Sequence, residues 1–266
     1  MFKYDLLDWI DINKLNLEIL NNYNQNAIYL HDNSNISYFL LSSNPSDEAI
    51  KLLIENQSNI EWEMLSSNIN DKAIELLIEN PHDINWEMLS SNINDKAIEL
   101  LIENPHEIDW EMLSSNINDK AIELLIDNPH EIDWKMLSKN SNDKAIELLI
   151  KNLEKIHWNI LCININDKAI ELLKENLEKI DWCILSFNRN KKAIELLKEN
   201  PDKNKWFASL SKNPAAIEIL KENQDKIDWN YLSENPAALE LLKENQDKID
   251  WNRLSSNPSI FIQKDI

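Results

Sequence analysis

The chain of 266 residues contains no glycine, two cysteines, and no apolar run approaching the ~18 residues of a membrane span. Each scarcity excludes something. Loops that cradle phosphates and dinucleotide fingerprints need glycine for close backbone approach, so nucleotide-binding enzymes of those kinds are disfavoured. Helix ends, where glycine usually supplies a left-handed residue, must be made by something else, and asparagine is the next choice because it tolerates those dihedrals. Cys162 and Cys183 occupy different slots of a repeating pattern, so a disulfide framework is not expected. Cys162 stands where other copies carry Ser66, Ser90, Ser114 and Ser138, which reads as a small residue packed under a neighbouring helix. Basic residues are also short: 27 Lys and Arg face 47 Asp and Glu, a net charge of −20. Direct nucleic-acid binding needs a basic footprint and is disfavoured. The start, Met1-Phe2-Lys3-Tyr4-Asp5, has acidic residues where a secretory signal needs a positive end and an apolar core. An intracellular, soluble protein is the expectation, without a membrane partner.

What fills the chain is a repeat. Trp recurs at 62, 86, 110, 134, 158, 182 and 206, then at 229 and 251, a period of 24 residues shortening to 23 and 22. A period of this length marks units that bury their apolar faces only against neighbours. Within each unit the spacing predicts two helices. In the A helix, Trp62, Leu65 and Ser66 fall at i, i+3 and i+4, preceded by a polar capping residue such as Asn85 or Asp109 and closed by Asn68 and its equivalents. In the B helix, Ala73, Ile74, Leu76 and Leu77 form the apolar arc, Asn70-Asp71 supplies the start, and Asn80 the stop. Asn213-Pro214, Asn235-Pro236 and Asn257-Pro258 in the shorter copies read as a cap followed by proline at the first helical position. The fold class is therefore all-α, an α-solenoid of about ten helix-turn-helix repeats of 22–24 residues. Residues 1–37 read as an N-terminal cap holding a degenerate copy, 38–256 as tandem repeats, and 257–266 as a C-terminal half-repeat cap, with Phe261 closing a last B helix. A leucine-rich repeat is the main competitor, but its alternating strand pattern is missing.

The segment Trp229-Asn-Tyr-Leu-Ser-Glu-Asn-Pro-Ala-Ala-Leu-Glu-Leu-Leu-Lys-Glu-Asn245 resembles the W-x-x-L-S-x-N-P-x-A-I-x-L-L-x-x-N motif of repeat proteins of large, or giant, DNA viruses. The closing Asn-Pro-Ser-Ile-Phe resembles it too. The likeness covers most of residues 38–266, although earlier copies insert two residues and carry Ile or Ser where the motif has Pro. It implies a helical-repeat fold and a viral origin, hence the host cytoplasm, and carries over no catalytic residue.

No chemistry-bearing constellation stands out, and neither a catalytic residue nor a cofactor or metal is expected. His82, His106 and His130 share one loop slot, so adjacent rungs lie roughly 10 Å apart, whereas zinc ligands converge to ~2.0–2.1 Å. The Glu75-type ladder is preceded by Lys72, Lys96 and Lys120 at i−3, which reads as a charge-paired, solvated face. The Trp column reads as core. Two asymmetries remain. Residues 38–133 hold 21 acidic residues against 4 lysines, net −17, while residues 151–266 hold 19 against 18 basic residues, net −1. The slot after the B-helix Leu pair is Ile54, Ile78, Ile102, Ile126 and Ile150 early in the chain, then Lys174, Lys198, Lys221 and Lys243. A slot that accepts Lys is not fully buried, so the Ile residues are expected to form an exposed stripe flanked by carboxylates such as Glu79 and Glu103. The function these features imply is a non-enzymatic protein–protein interaction scaffold with a basic protein partner. The alternatives are self-association into a homo-oligomer through the same stripe, or an acidic mimic of a phosphate backbone. Charge that serves only solubility remains open beside the basic partner.

Overall fold

The computed structural model of the chain describes residues 4–11, 14–15, 37–201 and 207–263. The chain forms two compact units, one of residues 34–172 and one of residues 173–266 together with 1–33. Each unit is an α-solenoid of two-helix repeats, the architecture the Trp period implies.

The repeat from Asn85 to Ile108 shows how the pattern works. The A helix, Trp86–Ser91, is six residues long, too short to persist alone. Its start is fixed by the Asn85 side chain, which accepts from the Met88 N–H, and its end by the Asn92 N–H donating to Leu89. The B helix, Asp95–Glu103, begins when the Asn94 side chain accepts from the Lys96 N–H. Its Ala97, Ile98 and Leu101 are fully buried, each large side chain worth ~1.5–3 kcal/mol when removed from water. A turn of 3-10 helix, Pro105–Glu107, then leads to buried Ile108, a third apolar anchor the helical spacing did not single out.

Asparagine ends the B helix, but not by turning left-handed. No described residue has positive φ; Asn104 sits at φ −127°, ψ 60°. Its Nδ2 donates to the Leu100 carbonyl at 2.9 Å, and Asn80, Asn128, Asn152, Asn200, Asn223 and Asn245 make the same bond one turn back. The side-chain amide thus satisfies a terminal carbonyl that a left-handed residue would otherwise reach through its backbone, which is how a glycine-free chain stops its helices.

The second asparagine of each repeat ties it to its predecessor. Asn92, 2% exposed, donates from Nδ2 to the carbonyls of Ser66 and Asn68, while its Oδ1 accepts from the Asn94 N–H. Asn116, Asn140 and Asn164 repeat this inside the first unit, and Asn213, Asn235 and Asn257 inside the second. The small-residue slot is polar for a related reason. Ser90 Oγ donates to the Trp86 carbonyl at 2.8 Å and accepts from the Asp109 N–H of the next repeat at 3.0 Å. Cys162 stands in that slot and is buried, outside any disulfide.

The Trp column is not core. Trp62, Trp86, Trp110, Trp134 and Trp158 in the first unit, and Trp182, Trp229 and Trp251 in the second, are half-buried at the first position of their A helices; the Leu three residues on and the Ser, or Cys162, four residues on are the buried pair. Lys248 lies over the Trp229 ring at 4.4 Å. Trp206 lies outside the described residues.

The expected last B helix is absent. Residues Pro258–Ile260 form a 3-10 turn, and Phe261–Gln263 is a strand paired antiparallel with Tyr4–Leu6, Tyr4 opposite Gln263 and Leu6 opposite Phe261. The Leu7 N–H continues the pairing to the Ile260 carbonyl, Ile10 and Leu15 are buried, and Lys14 sits over Trp251 at 4.8 Å. Where the stack offers no further B helix to pack on, the end is covered by chain from the other terminus, leaving Phe261 half-buried. The degenerate copy expected over 16–36 lies outside the described residues.

Candidate partner-binding surface

The B helices of residues 34–172 put one residue per repeat, the one after the buried Leu, at the surface. Ile54, Ile78, Ile102, Ile126 and Ile150 are each between 45% and 51% exposed. A single exposed isoleucine is ordinary; the same slot filled five times on successive B helices makes an ordered row of exposed apolar side chains. Ile54 and Glu79 line one shallow hollow of about 350 Å³ together with Gln57, Lys72, Glu75 and Leu76. The isoleucine of one repeat therefore faces the carboxylate that ends the next B helix, and Ile78 and Glu103 occupy the same slots one repeat on.

Two carboxylate rows flank this surface, and they differ in what neutralises them. The first is compensated across repeats, not along one helix as the i−3 spacing suggested. Lys96 Nζ bridges Glu75 at 2.6 Å and Asp71 at 3.2 Å of the preceding repeat. Lys120, Lys144 and Lys168 bridge the corresponding pairs at 2.6–3.1 Å. In the first copy Lys51 replaces the glutamate, and Lys72 reaches Asp47 at 2.7 Å. Hydrogen bonds that Lys96 donates to Glu75 and then to Asp71 hold its pKa above the ordinary value. The Asn94 amide, followed by Lys96, holds Asp71 below its own.

The second row is Glu55, Glu79, Glu103 and Asp127, directly after the exposed isoleucines. All four are exposed and make no ion pair among the described residues. In the other unit the same row reappears as Glu175, Glu199, Glu222 and Glu244, but there the slot that held isoleucine holds lysine. Lys174 reaches Glu199 at 2.7 Å, and Lys198 reaches Glu222 at 3.3 Å.

A second line of exposed apolar residues escaped the sequence reading: Ile69, Ile93, Ile117 and Ile165, in the two-residue insertion between A and B helices. The available signal was an isoleucine in a connection whose neighbours, Asn68 and Asn70, both had capping work to do. His82, His106 and His130 are exposed on separate turns, and among the described residues no group of three or more His, Cys, Asp or Glu side chains is placed to hold a metal ion. Among the described residues no helix is long and apolar enough to cross a membrane. No protein-family model matches the chain, and no curated protein sequence or solved structure is significantly similar to it.

Proposed function

We propose that the protein is a non-enzymatic interaction scaffold whose partner surface is the B-helix face of residues 34–172. The observation that carries this is the row of five half-exposed isoleucines beside carboxylates that no cation of the described chain neutralises. Repetition supplies an extended face, which is the usual asset of solenoids. The excess of 17 negative charges over residues 38–133 favours a basic protein partner and repels nucleic acid and anionic membrane. The W-x-x-L-S-x-N-P repeat supports a place among repeat proteins of large DNA viruses, acting inside the host cell.

The test compares proteins captured from cell extract by the immobilised full chain and by its Ile78→Lys, Ile102→Lys, Ile126→Lys variant. Loss of a captured protein by an equally folded variant supports the scaffold; identical captured sets contradict it. Light scattering over a concentration series addresses the self-association alternative, since mass that rises with concentration and falls back in the variant makes the partner a second copy.

A further inference from the structure

The two units carry the same carboxylate row in two states, and the difference names a ligand. In residues 173–266 the row is Glu175, Glu199, Glu222 and Glu244, and its middle two members are occupied: Lys174 and Lys198, standing in the isoleucine slot, place their ammonium groups on Glu199 and Glu222 of the following repeats. In residues 34–172 isoleucine fills that slot, and Glu55, Glu79, Glu103 and Asp127 keep no ammonium partner among the described residues. The chain thus shows in one unit the group that satisfies the row, and in the other offers the row, empty of lysine, next to apolar surface. Asp71, Glu75 and their equivalents do not compete for an outside cation, because Lys96, Lys120, Lys144 and Lys168 already bridge them.

We propose that residues 34–172 bind a cationic amphipathic helix, whose apolar side chains lie on Ile54, Ile78, Ile102 and Ile126 while its Lys or Arg groups take the place on Glu55, Glu79, Glu103 and Asp127 that Lys174 and Lys198 take on their own row. Spacing agrees with chemistry. Adjacent B helices lie ~8–10 Å apart, and residues seven apart on a helix lie ~10.5 Å apart, so one apolar residue and one cation per heptad keep step with the rungs. The polarity ends at residue 151, where the carboxylate slot holds Lys151. This inference rests on the scaffold proposed above and specifies what the scaffold holds.

The probe is a fluorescent peptide of about 20 residues, ~30 Å when helical, with leucine and lysine at heptad spacing. Two companions replace its leucines by serine or its lysines by glutamine. Anisotropy with the full chain should show the Leu/Lys peptide binding at least ~10-fold, or ~1.4 kcal/mol, more tightly than either companion. The Glu79→Gln, Glu103→Gln, Asp127→Asn variant should lose a similar factor. The Glu63→Gln, Glu87→Gln, Glu111→Gln variant, which removes the same charge from exposed A-helix positions, should change little. The reciprocal variant Lys174→Ile, Lys198→Ile frees Glu199 and Glu222 and should add a second peptide-binding equivalent. Equal losses from both acidic variants would reduce the effect to general polyanion attraction and overturn the inference. Equal binding of the Leu/Gln peptide would also overturn it, while leaving the Ile-lined scaffold standing. A folded reciprocal variant of unchanged stoichiometry would overturn it as well.

Discussion

Asn92 donates both hydrogens of its side-chain amide to the preceding repeat, to the Ser66 carbonyl at 3.0 Å and the Asn68 carbonyl at 2.9 Å. Both acceptors lie in the interior, so removing the donor leaves them unsatisfied at ~1–3 kcal/mol each. Asn92→Ala should therefore destabilise by about 2–4 kcal/mol in urea unfolding. Asn92→Asp should cost more, because an ionised carboxylate only accepts and would face two carbonyl oxygens. An aspartate variant as stable as wild type would show that these bonds do not hold the stack.

Ser90 predicts a smaller effect by the same logic. Its hydroxyl accepts the Asp109 N–H from the next repeat at 3.0 Å, and alanine fills nearly the same space without accepting. Ser90→Ala should lower stability by about 1 kcal/mol, read from the urea midpoint. No loss would mean that the slot selects only for size, as the sequence alone suggested.

The B-helix stop separates two mechanisms. Asn80 sits at φ −128° and bonds the Leu76 carbonyl through Nδ2 at 2.8 Å. Were it a left-handed cap, glycine would be as good or better there. Asn80→Gly should instead destabilise by ~1 kcal/mol, and a glycine variant more stable than wild type would contradict the side-chain mechanism.

The lysine bridges predict a pH profile. Asp71, Asp95, Asp119 and Asp143 are held below 3.8, first by amides of the next repeat and then by its lysine. A depressed carboxylate stabilises above its unfolded value, and the contribution fades as pH falls through the folded value. Lys96, Lys120, Lys144 and Lys168 are held above 10.5, so their contribution is complete below 10.5 and fades as pH rises through the folded value. The midpoint difference between wild type and Lys96→Met, Lys120→Met should be level between 3.8 and 10.5 and shrink beyond either limit. A difference that grows on acidification would contradict the bridging. The groups are exposed, so the difference is small throughout.

Particular residues show what the sequence made legible. The 24-residue Trp period and the i, i+3, i+4 spacing of Trp62, Leu65 and Ser66 carry the repeat and both helices, because periodicity registers which side chains share a face. Asn70 as a B-helix start and Asn80 as its stop were legible in place. The route by which Asn80 acts was not, since asparagine can cap through backbone or side chain. The inter-repeat bonds of Asn92 and the bridging by Lys96 were hidden for another reason: partners about one period apart are equivalent in sequence to partners within a repeat, and only the stack chooses between them. Trp overstated burial: its slot opens a short helix and stays half-exposed, while Leu65 and Ser66 are fully buried. The strand pairing of Tyr4–Leu6 with Phe261–Gln263 joins the two ends of the chain, a contact no local pattern encodes. At the surface, the Ile-to-Lys exchange marked the stripe, but Glu79 and Glu103 stood out from other carboxylates only once Lys96 and Lys120 were seen to occupy Glu75 and Glu99.

The central claim is that Ile78, Ile102 and Ile126 are surface held open for a partner and no part of the core. The most direct measurement is the urea unfolding midpoint and slope of the Ile78→Lys, Ile102→Lys, Ile126→Lys variant beside wild type. Each side chain is about half exposed, lysine is a good helix former, and the other unit carries lysine at the same slot, so each change should cost no more than about 0.5 kcal/mol with the slope unchanged. A cooperative loss of several kcal/mol, on the ~2–5 kcal/mol scale of a buried isoleucine, would make the row core and contradict the account.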